Sequence, residues 1–159
     1  MQRVKIVAVG RLKEKWLSEG VAEYAKRLGR FCRLEIAEVD EERVDATGTG
    51  ASVARAMRRE GERVLSRLPE DAYVVVADVG GDSPSSEAFA SRINAPLSIG
   101  RELVFVVGGS HGAHAELLAR ADWKLSMSRM TFPHQLARLM LVEQIYRAFK
   151  ILANETYHK

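Results

Sequence analysis

The chain has 159 residues, 47% hydrophobic and 28% charged, which is enough for one domain with a real core and ordinary for a soluble globular protein. Its formal charge is only +3, with a sequence pI near 9.2, a mild hint of a polyanionic partner. The lone cysteine, Cys32, excludes an internal disulfide framework, and no apolar run approaches a membrane span.

The opening MQRVKIVAVG is too short and too charged for a secretory leader, so a cytoplasmic location is expected. Val4–Val9 alternates and is β-branched, which predicts a strand. Lys13–Arg30 carries Trp16, Leu17, Val21, Tyr24, Ala25 and Leu28 at helical spacing, and Gly29 closes that helix. Arg33–Val39 alternates again as a second strand, with Cys32 packed at its start. Asp40–Gly50 is acidic and then reads TGTG, a mobile surface loop. Ala51–Leu68 predicts a second helix with Val53, Met57, Val64, Leu65 and Leu68 inward. Gly61 costs that helix about 1 kcal/mol relative to alanine.

Ala72–Asp78 is continuously apolar, as a buried parallel strand would be. Gly80-Gly81-Asp82 turns the chain. Ser83 and Pro84 then read as an N-cap and a first helical residue, opening a helix that runs to about Asn94. Glu102–Val107 is a fourth strand and Gly108–Gly112 its turn. Ala113–Ala121 is a short helix, Trp123–Met127 a fifth strand, and His134–Ala153 the last and most apolar helix. Strands alternating with helices predict an α/β fold: a mostly parallel sheet with helices on both faces, in a single domain over 1–159. Ligands of such sheets sit outside the carboxyl ends of the strands. Here those ends carry Ala77–Gly81, Gly108–Gly112 and Ser128–Pro133.

The glycines of Gly108-Gly109-Ser110-His111-Gly112 would let backbone approach a ligand closely. The run is neither a P-loop nor a dinucleotide fingerprint, since no Gly-Lys-Ser/Thr follows and the first strand ends in Gly10-Arg11-Leu12-Lys13. Met127-Ser128-Arg129-Met130-Thr131-Phe132-Pro133 mixes hydroxyls and backbone groups with methionine and phenylalanine. That mixture suits a flat apolar group with polar edges, such as adenine; a capped helix start would use the same letters. His111 and His114 gain no further ligands, so no metal site is expected.

On the last helix, Glu143, Arg147 and Lys150 fall on one narrow stripe, which predicts a solvated face. His134 and Arg138 point nearly the opposite way, on a face continued by Leu141 and Ile145, and need partners if buried. Apolar residues cover most of the circumference, which predicts burial against another subunit. From Trp123 to Lys159 there are six bases against two acids, a surplus larger than that of the whole chain. The closing Tyr157, His158 and Lys159 read first as a frayed end, although such side chains can also stack on bases and meet phosphate.

FVVGGSHG, LSMSRMTFPHQLARLMLVEQIYRAFKI and the terminal YHK resemble the RlmH family of ribosomal RNA methyltransferases, within the SPOUT superfamily. The likeness covers the whole chain. It implies an α/β sheet with a deep C-terminal trefoil knot, and a homodimer with the knot at its interface. It implies S-adenosyl-L-methionine as cofactor, held by Ala77, Gly108 and the loop Met127, Ser128, Arg129, Met130, Thr131 and Phe132. Many relatives carry leucine at the position of Ala77. The implied substrate is N3 of a pseudouridine in a stem-loop of 23S ribosomal RNA, modified on the assembled ribosome. Methyl transfer rests on positioning, and the imide that loses its proton needs a base or cation nearby. His134, Arg138, Tyr157, His158 and Lys159 are the candidates for that work. The competing expectations are a methyltransferase of this fold acting on tRNA or another RNA, and a ribosome-binding factor without catalysis.

Overall fold

A computed structural model describes residues 1–44 and 48–159. Its strands are β1 (Gln2–Val9), β2 (Cys32–Val39), β3 (Tyr73–Asp82), β4 (Leu103–Val107) and β5 (Trp123–Leu125). They alternate with α1 (Lys15–Leu28), α2 (Gly50–Leu65), α3 (Ser86–Ser98), α4 (Ala115–Arg120) and α5 (His134–Leu152). The expected βα alternation holds among the described residues. Asp45, Ala46 and Thr47, in the loop expected between β2 and α2, lie outside them.

The sheet order is β2-β1-β4-β3-β5, and each neighbouring pair is parallel. This order explains which helix covers which face. The β1→β2 and β3→β4 connections run one way along the sheet, whereas β2→β3 and β4→β5 run the other. With one crossover handedness throughout, the two sets must lie on opposite faces. The core divides accordingly. Val21, Leu28, Phe89, Ile93, Leu141 and Ile145 pack on one face with Ile6 and Phe105. Val64 and Leu117 pack on the other with Val7, Val74, Val104 and Val106. Alternate residues of β1 and β4 thus feed different cores, as period-two geometry requires.

α5 lies between α1 and α3, and no residue from His134 to Ile151 is exposed. Val142 and Ile145 are fully covered, each worth about 1.5–3 kcal/mol of burial. Tyr146 meets Tyr24 at 5.9 Å between ring centroids, and Phe149 stacks on Phe31 at 5.9 Å. The stripe expected to be solvated is not: Glu143, Arg147 and Lys150 are all partly covered. The chain after α5 doubles back over them, a long-range event that helical periodicity does not encode. Cys32 is buried, and burial pushes its thiol up to about 11, which fits a packing role.

Two boundaries differ from the sequence reading in ways that shape the site. The cap of α3 is Ser85, whose side chain accepts from the Ala88 amide, and the helix continues through Pro96. Ser83 lies upstream because β3 continues to Asp82. Ala77 and Asp82 both register with Leu125, so the segment between them bulges outward. Asp82 holds the far side of the bulge. Its carboxylate accepts from the Trp123 indole at 3.0 Å, and its carbonyl accepts from the Ser126 amide at 2.8 Å.

Gly81 passes so close to β5 that a Cβ there would sit 2.5 Å from the Lys124 carbonyl oxygen. Backbone cannot rotate aside as a side chain can. Gly81→Ala should therefore cost about 1–3 kcal/mol of stability, the usual range for overpacking. Urea unfolding reads this directly, and an unchanged midpoint would show that the strands part freely there.

Candidate active site

Chain leaving β3 heads for α3 on one face; chain leaving β4 heads for α4 on the other. A crevice opens where they diverge, at the carboxyl edge of the sheet. The loop after β5 closes it from the third side. The resulting cavity, about 170 Å³, is lined by Ala77–Val79, Val107–Gly109, Gly112, Ala113, Leu125–Ser128, Met130–Phe132, His134 and Ala137. Thus Ala77, Gly108, Met127, Ser128, Met130, Thr131, Phe132 and His134, predicted from four separate stretches, converge on one space. Arg129 belongs to the same loop but is exposed and does not line it.

Local chemistry fixes each wall. The Ser126 hydroxyl donates to the Ser128 carbonyl at 2.9 Å, and the Ser128 hydroxyl accepts from the Met130 amide at 3.0 Å. The loop is therefore shaped by its own serines. Gly108 lies against the far end of its own turn: a Cβ there would come 3.1 Å from the Gly112 carbonyl group. Gly112 has φ +87°, a left-handed conformation that suits glycine. α5 begins at this wall. The Gln135 amide oxygen accepts from the Lys13 N–H, and its NH₂ group donates to the Arg11 carbonyl, both at 3.1 Å. One side chain thereby ties the β1–α1 turn to the start of α5.

Beneath the Gly109 turn sits Glu60, which is 5% exposed. Local sequence carries no sign of its burial, because an acid in Arg-Arg-Glu-Gly-Glu looks like surface. Its carboxylate accepts from the Glu42 amide at 2.9 Å, and a Cβ on Gly109 would crowd its other oxygen at 3.1 Å. Burial raises its pKa. A carboxyl whose folded pKa is raised binds its proton more tightly when folded, so stability falls as pH climbs through that folded value. Glu60→Gln should remove this decline and stabilise the protein increasingly toward neutral pH. Thermal melts between about pH 4 and pH 8 check it: parallel curves for both proteins would mean Glu60 titrates as freely as an exposed acid.

His134 opens α5 and lines the cavity. Its Nε2 is buried and, among the described residues, has no hydrogen-bond partner. Burial lowers its pKa, with Arg138 and Lys13 adding repulsion and Glu41 opposing. The ring thus borders the cavity, while its covered Nε2 stays without a hydrogen-bond partner among the described residues. Arg138, one turn on, is only 1% exposed. It donates to Glu38 at 2.5 Å and to the Gly10 carbonyl at 2.8 Å. The partner that its apolar face demanded is an acid on β2, one hundred residues away.

The closing segment is docked, not frayed. The Tyr157 ring meets Tyr146 edge-on at 4.9 Å and lies under the Arg147 guanidinium at 4.8 Å. Its hydroxyl donates to Glu143 at 3.1 Å, while Arg147 donates to the same carboxylate at 2.6 Å. Burial, with Tyr24 and Glu143 as neighbours, pushes the Tyr157 phenol well above its ordinary range. His158 lies between Arg147 at 3.1 Å and Glu87 at 2.6 Å. Glu155 is clamped by Arg30 and Lys150, each at 2.5 Å, and Lys150 first and Arg30 next hold its pKa down. Lys159 is exposed.

These tail groups do not line the cavity that holds His134. Their anchor Glu143 lines a second one, about 430 Å³, together with Tyr24, Pro84–Ser86, Phe89, Leu125–Met127, Leu139, Met140 and Gln144. The two cavities share Leu125, Ser126 and Met127. The second is the roomier, but only the first has glycine backbone and His134 in its lining. Among the described residues no group of three or more His, Cys, Asp or Glu comes together, and no helix is long and apolar enough to cross a membrane.

A parallel α/β sheet with a three-loop cavity at its carboxyl edge is the arrangement in which proteins of this fold class seat small ligands. Solved structures share this fold. A probable methylase family protein from Haemophilus influenzae has a TM-score of 0.58 at 15% identity, over 99% of this chain and 71% of that one. A probable rRNA-methyltransferase from Porphyromonas gingivalis has a TM-score of 0.56 at 15% identity, over 95% and 70%. The family model described as "Predicted SPOUT methyltransferase" matches residues 2–158. Two curated relatives are each named ribosomal RNA large subunit methyltransferase H. The one from Acetivibrio thermocellus is 49% identical, covering 99% of both chains. That from Carboxydothermus hydrogenoformans is 48% identical, over 98% of this chain and 99% of the relative. The chain belongs to the SPOUT methyltransferase family, in the group of these ribosomal RNA methyltransferases.

Proposed function

We propose that this protein is a single-domain, S-adenosyl-L-methionine-dependent methyltransferase of 23S ribosomal RNA. It acts on N3 of a pseudouridine in the assembled ribosome, as a cytoplasmic homodimer. The observation that carries the reading is the convergence of the loops after β3, β4 and β5 on one cavity, with His134 among its lining residues. The same convergence supports the trefoil threading expected from the family. Support for the dimer comes from Trp16, Val79 and Met130, apolar side chains that are 58%, 83% and 72% exposed, and from the half-buried Leu139 and Met140 on α5.

The residues fit the cofactor. Backbone at Gly108 is bare where a side chain would fill the turn, and Met127–Phe132 offers apolar side chains beside backbone polar groups. Ala77, Gly108, Met127, Ser128 and Met130–Phe132 would hold it. When bound, it supplies a methyl group carried on a sulfonium. The protein's own part is positional and electrostatic. His134, whose charged form burial disfavours, is the candidate proton acceptor beside the cavity. In the dimer the tail of one subunit, with Arg147 stacked on Tyr157, would close the site of the other and lend positive potential toward an anion developing on the target base. Arg138 is a positioning residue: it ties α5 to the ends of β1 and β2. His158 and Tyr157 hold the Glu143–Arg147 pair, and Lys159 is left for phosphate.

Purified protein should transfer label from S-adenosyl-L-methionine to ribosomes, with the product mapped by mass spectrometry of nuclease fragments. Label on tRNA or naked rRNA with none on ribosomes would change the substrate. Ribosome binding without any transfer would leave a non-catalytic factor.

A further inference from the structure

A basic surface outside the cofactor cavity lies on the β2–α2 side of the molecule. α2 and the turn after it carry Arg55, Arg58, Arg59, Arg63 and Arg67, and all but Arg63 are exposed. Arg55 and Arg59, four apart, line one cleft with Arg43, which comes from the segment after β2. A second cleft is lined by Arg43, Lys13, Ser110 and His111. The two share Glu42, Arg43 and Val44, so they are successive parts of one groove. Its inner end reaches Ser110 and His111, in the same turn whose Gly108, Gly109 and Gly112 wall the proposed cofactor cavity.

The electrostatics favour an anion. Arg43 and Arg55 make no hydrogen bond or ion pair among the described residues. Among the described residues that line the groove, the acids are Glu41 and Glu42. Glu42 is already engaged by Arg63 and lies 3.8 Å from Arg59, which leaves Glu41 as the opposing charge. Ser52, in the first turn of α2, lines the outer end, where the helix dipole adds positive potential. Arg43 and Arg55, without an ion pair among the described residues, together with Arg59 and Lys13 make the groove a line of positive charge that a phosphodiester backbone would match.

We propose that the groove from Arg55 and Arg59 past Arg43 to His111 and Lys13 binds the RNA phosphate backbone on its way into the active site. The inference rests on the proposed function and adds a surface to it. The track sets how tightly and in what direction the RNA lies; it does not bind the cofactor.

The test is a charge reversal with a matched control. Arg43→Glu with Arg55→Glu changes the groove. Lys26→Glu with Arg33→Glu makes the same charge change with exposed residues at the other end of β2, near its first residues. Binding of each protein to ribosomes is measured by sedimentation across a salt series. The groove variant should bind at least about tenfold more weakly than the control variant, and its log–log salt slope should be shallower by roughly one per lost phosphate contact. Arg43→Gln with Arg55→Gln should show the same shift, smaller. Cofactor affinity and melting temperature should match wild type in all three.

Equal affinity and slope for the groove and control variants overturn the track. Failure of wild type to methylate ribosomes, with the slope difference intact, overturns the functional reading and leaves the track standing.

Discussion

Gly108→Val should lower affinity for S-adenosyl-L-methionine by about 100-fold or more, close to 3 kcal/mol, beyond the loss of stability that displacing the turn brings. A Cβ at this position would sit 3.1 Å from the Gly112 carbonyl carbon and oxygen and 3.4 Å from the Ala113 nitrogen. Those are backbone atoms of the same turn, so relief comes only by moving the turn. Valine's two further methyls then have to be placed beside the cavity, where the proposed cofactor would lie. Gly108→Ala, with only the Cβ, should lose less, and the pair gives a graded series. Isothermal calorimetry is the measurement. An unchanged dissociation constant in the valine variant would place the cofactor elsewhere and remove the main support for the smaller cavity as its seat.

Deleting Tyr157–Lys159 should leave a folded protein that binds cofactor normally and methylates ribosomes on the order of 10²–10⁴-fold more slowly, the range for losing acid–base and charge-positioning groups. Folding is spared because the tail packs only at the periphery. The edge-on Tyr157–Tyr146 pair is worth about 0.5–1.5 kcal/mol, and the Glu143–Arg147 pair keeps its own bond at 2.6 Å. Activity is not spared, because Tyr157 and His158 fix where Arg147 points. Tyr157→Phe isolates the hydroxyl from the ring: it keeps the stacking and removes only the bond to Glu143. Single-turnover rates on ribosomes decide the matter, and full speed in the truncated protein would reduce the tail to a packing element.

Much of the scaffold is legible in the chain because its signals are local. β1 and β2 alternate, the middle of β3 is continuously apolar, and each long helix shows its own period. The loops at strand ends can be named as the site because α/β topology puts ligands there. The departures are equally physical. Gly80-Gly81-Asp82 has the letters of a turn, yet Asp82 rejoins the sheet against Leu125, because a bulge closes only through contacts with β5. Ser83-Pro84-Ser85-Ser86 offers three caps, and the one used depends on where β3 lets go.

The Glu143, Arg147 and Lys150 stripe has the pattern of a wet surface because nothing in a helical wheel reports a tail folding back. Glu60 is hidden for the same reason: the Gly109 turn that covers it is far away in sequence. Arg138 is half legible. Its apolar surroundings require a partner, but only the tertiary fold supplies Glu38.

α5 is synthesised after every strand, yet it covers the middle of one sheet face between two older helices. Until it emerges from the exit tunnel, Ile6, Phe105 and Phe89 have no lid. Nascent chains halted before His134 should therefore be sticky and protease-sensitive, and should rely on holding chaperones, with compaction arriving in a single late step. The helix that borders the proposed active-site cavity also completes the hydrophobic interior on this face, so the cavity takes shape only once that packing is in place.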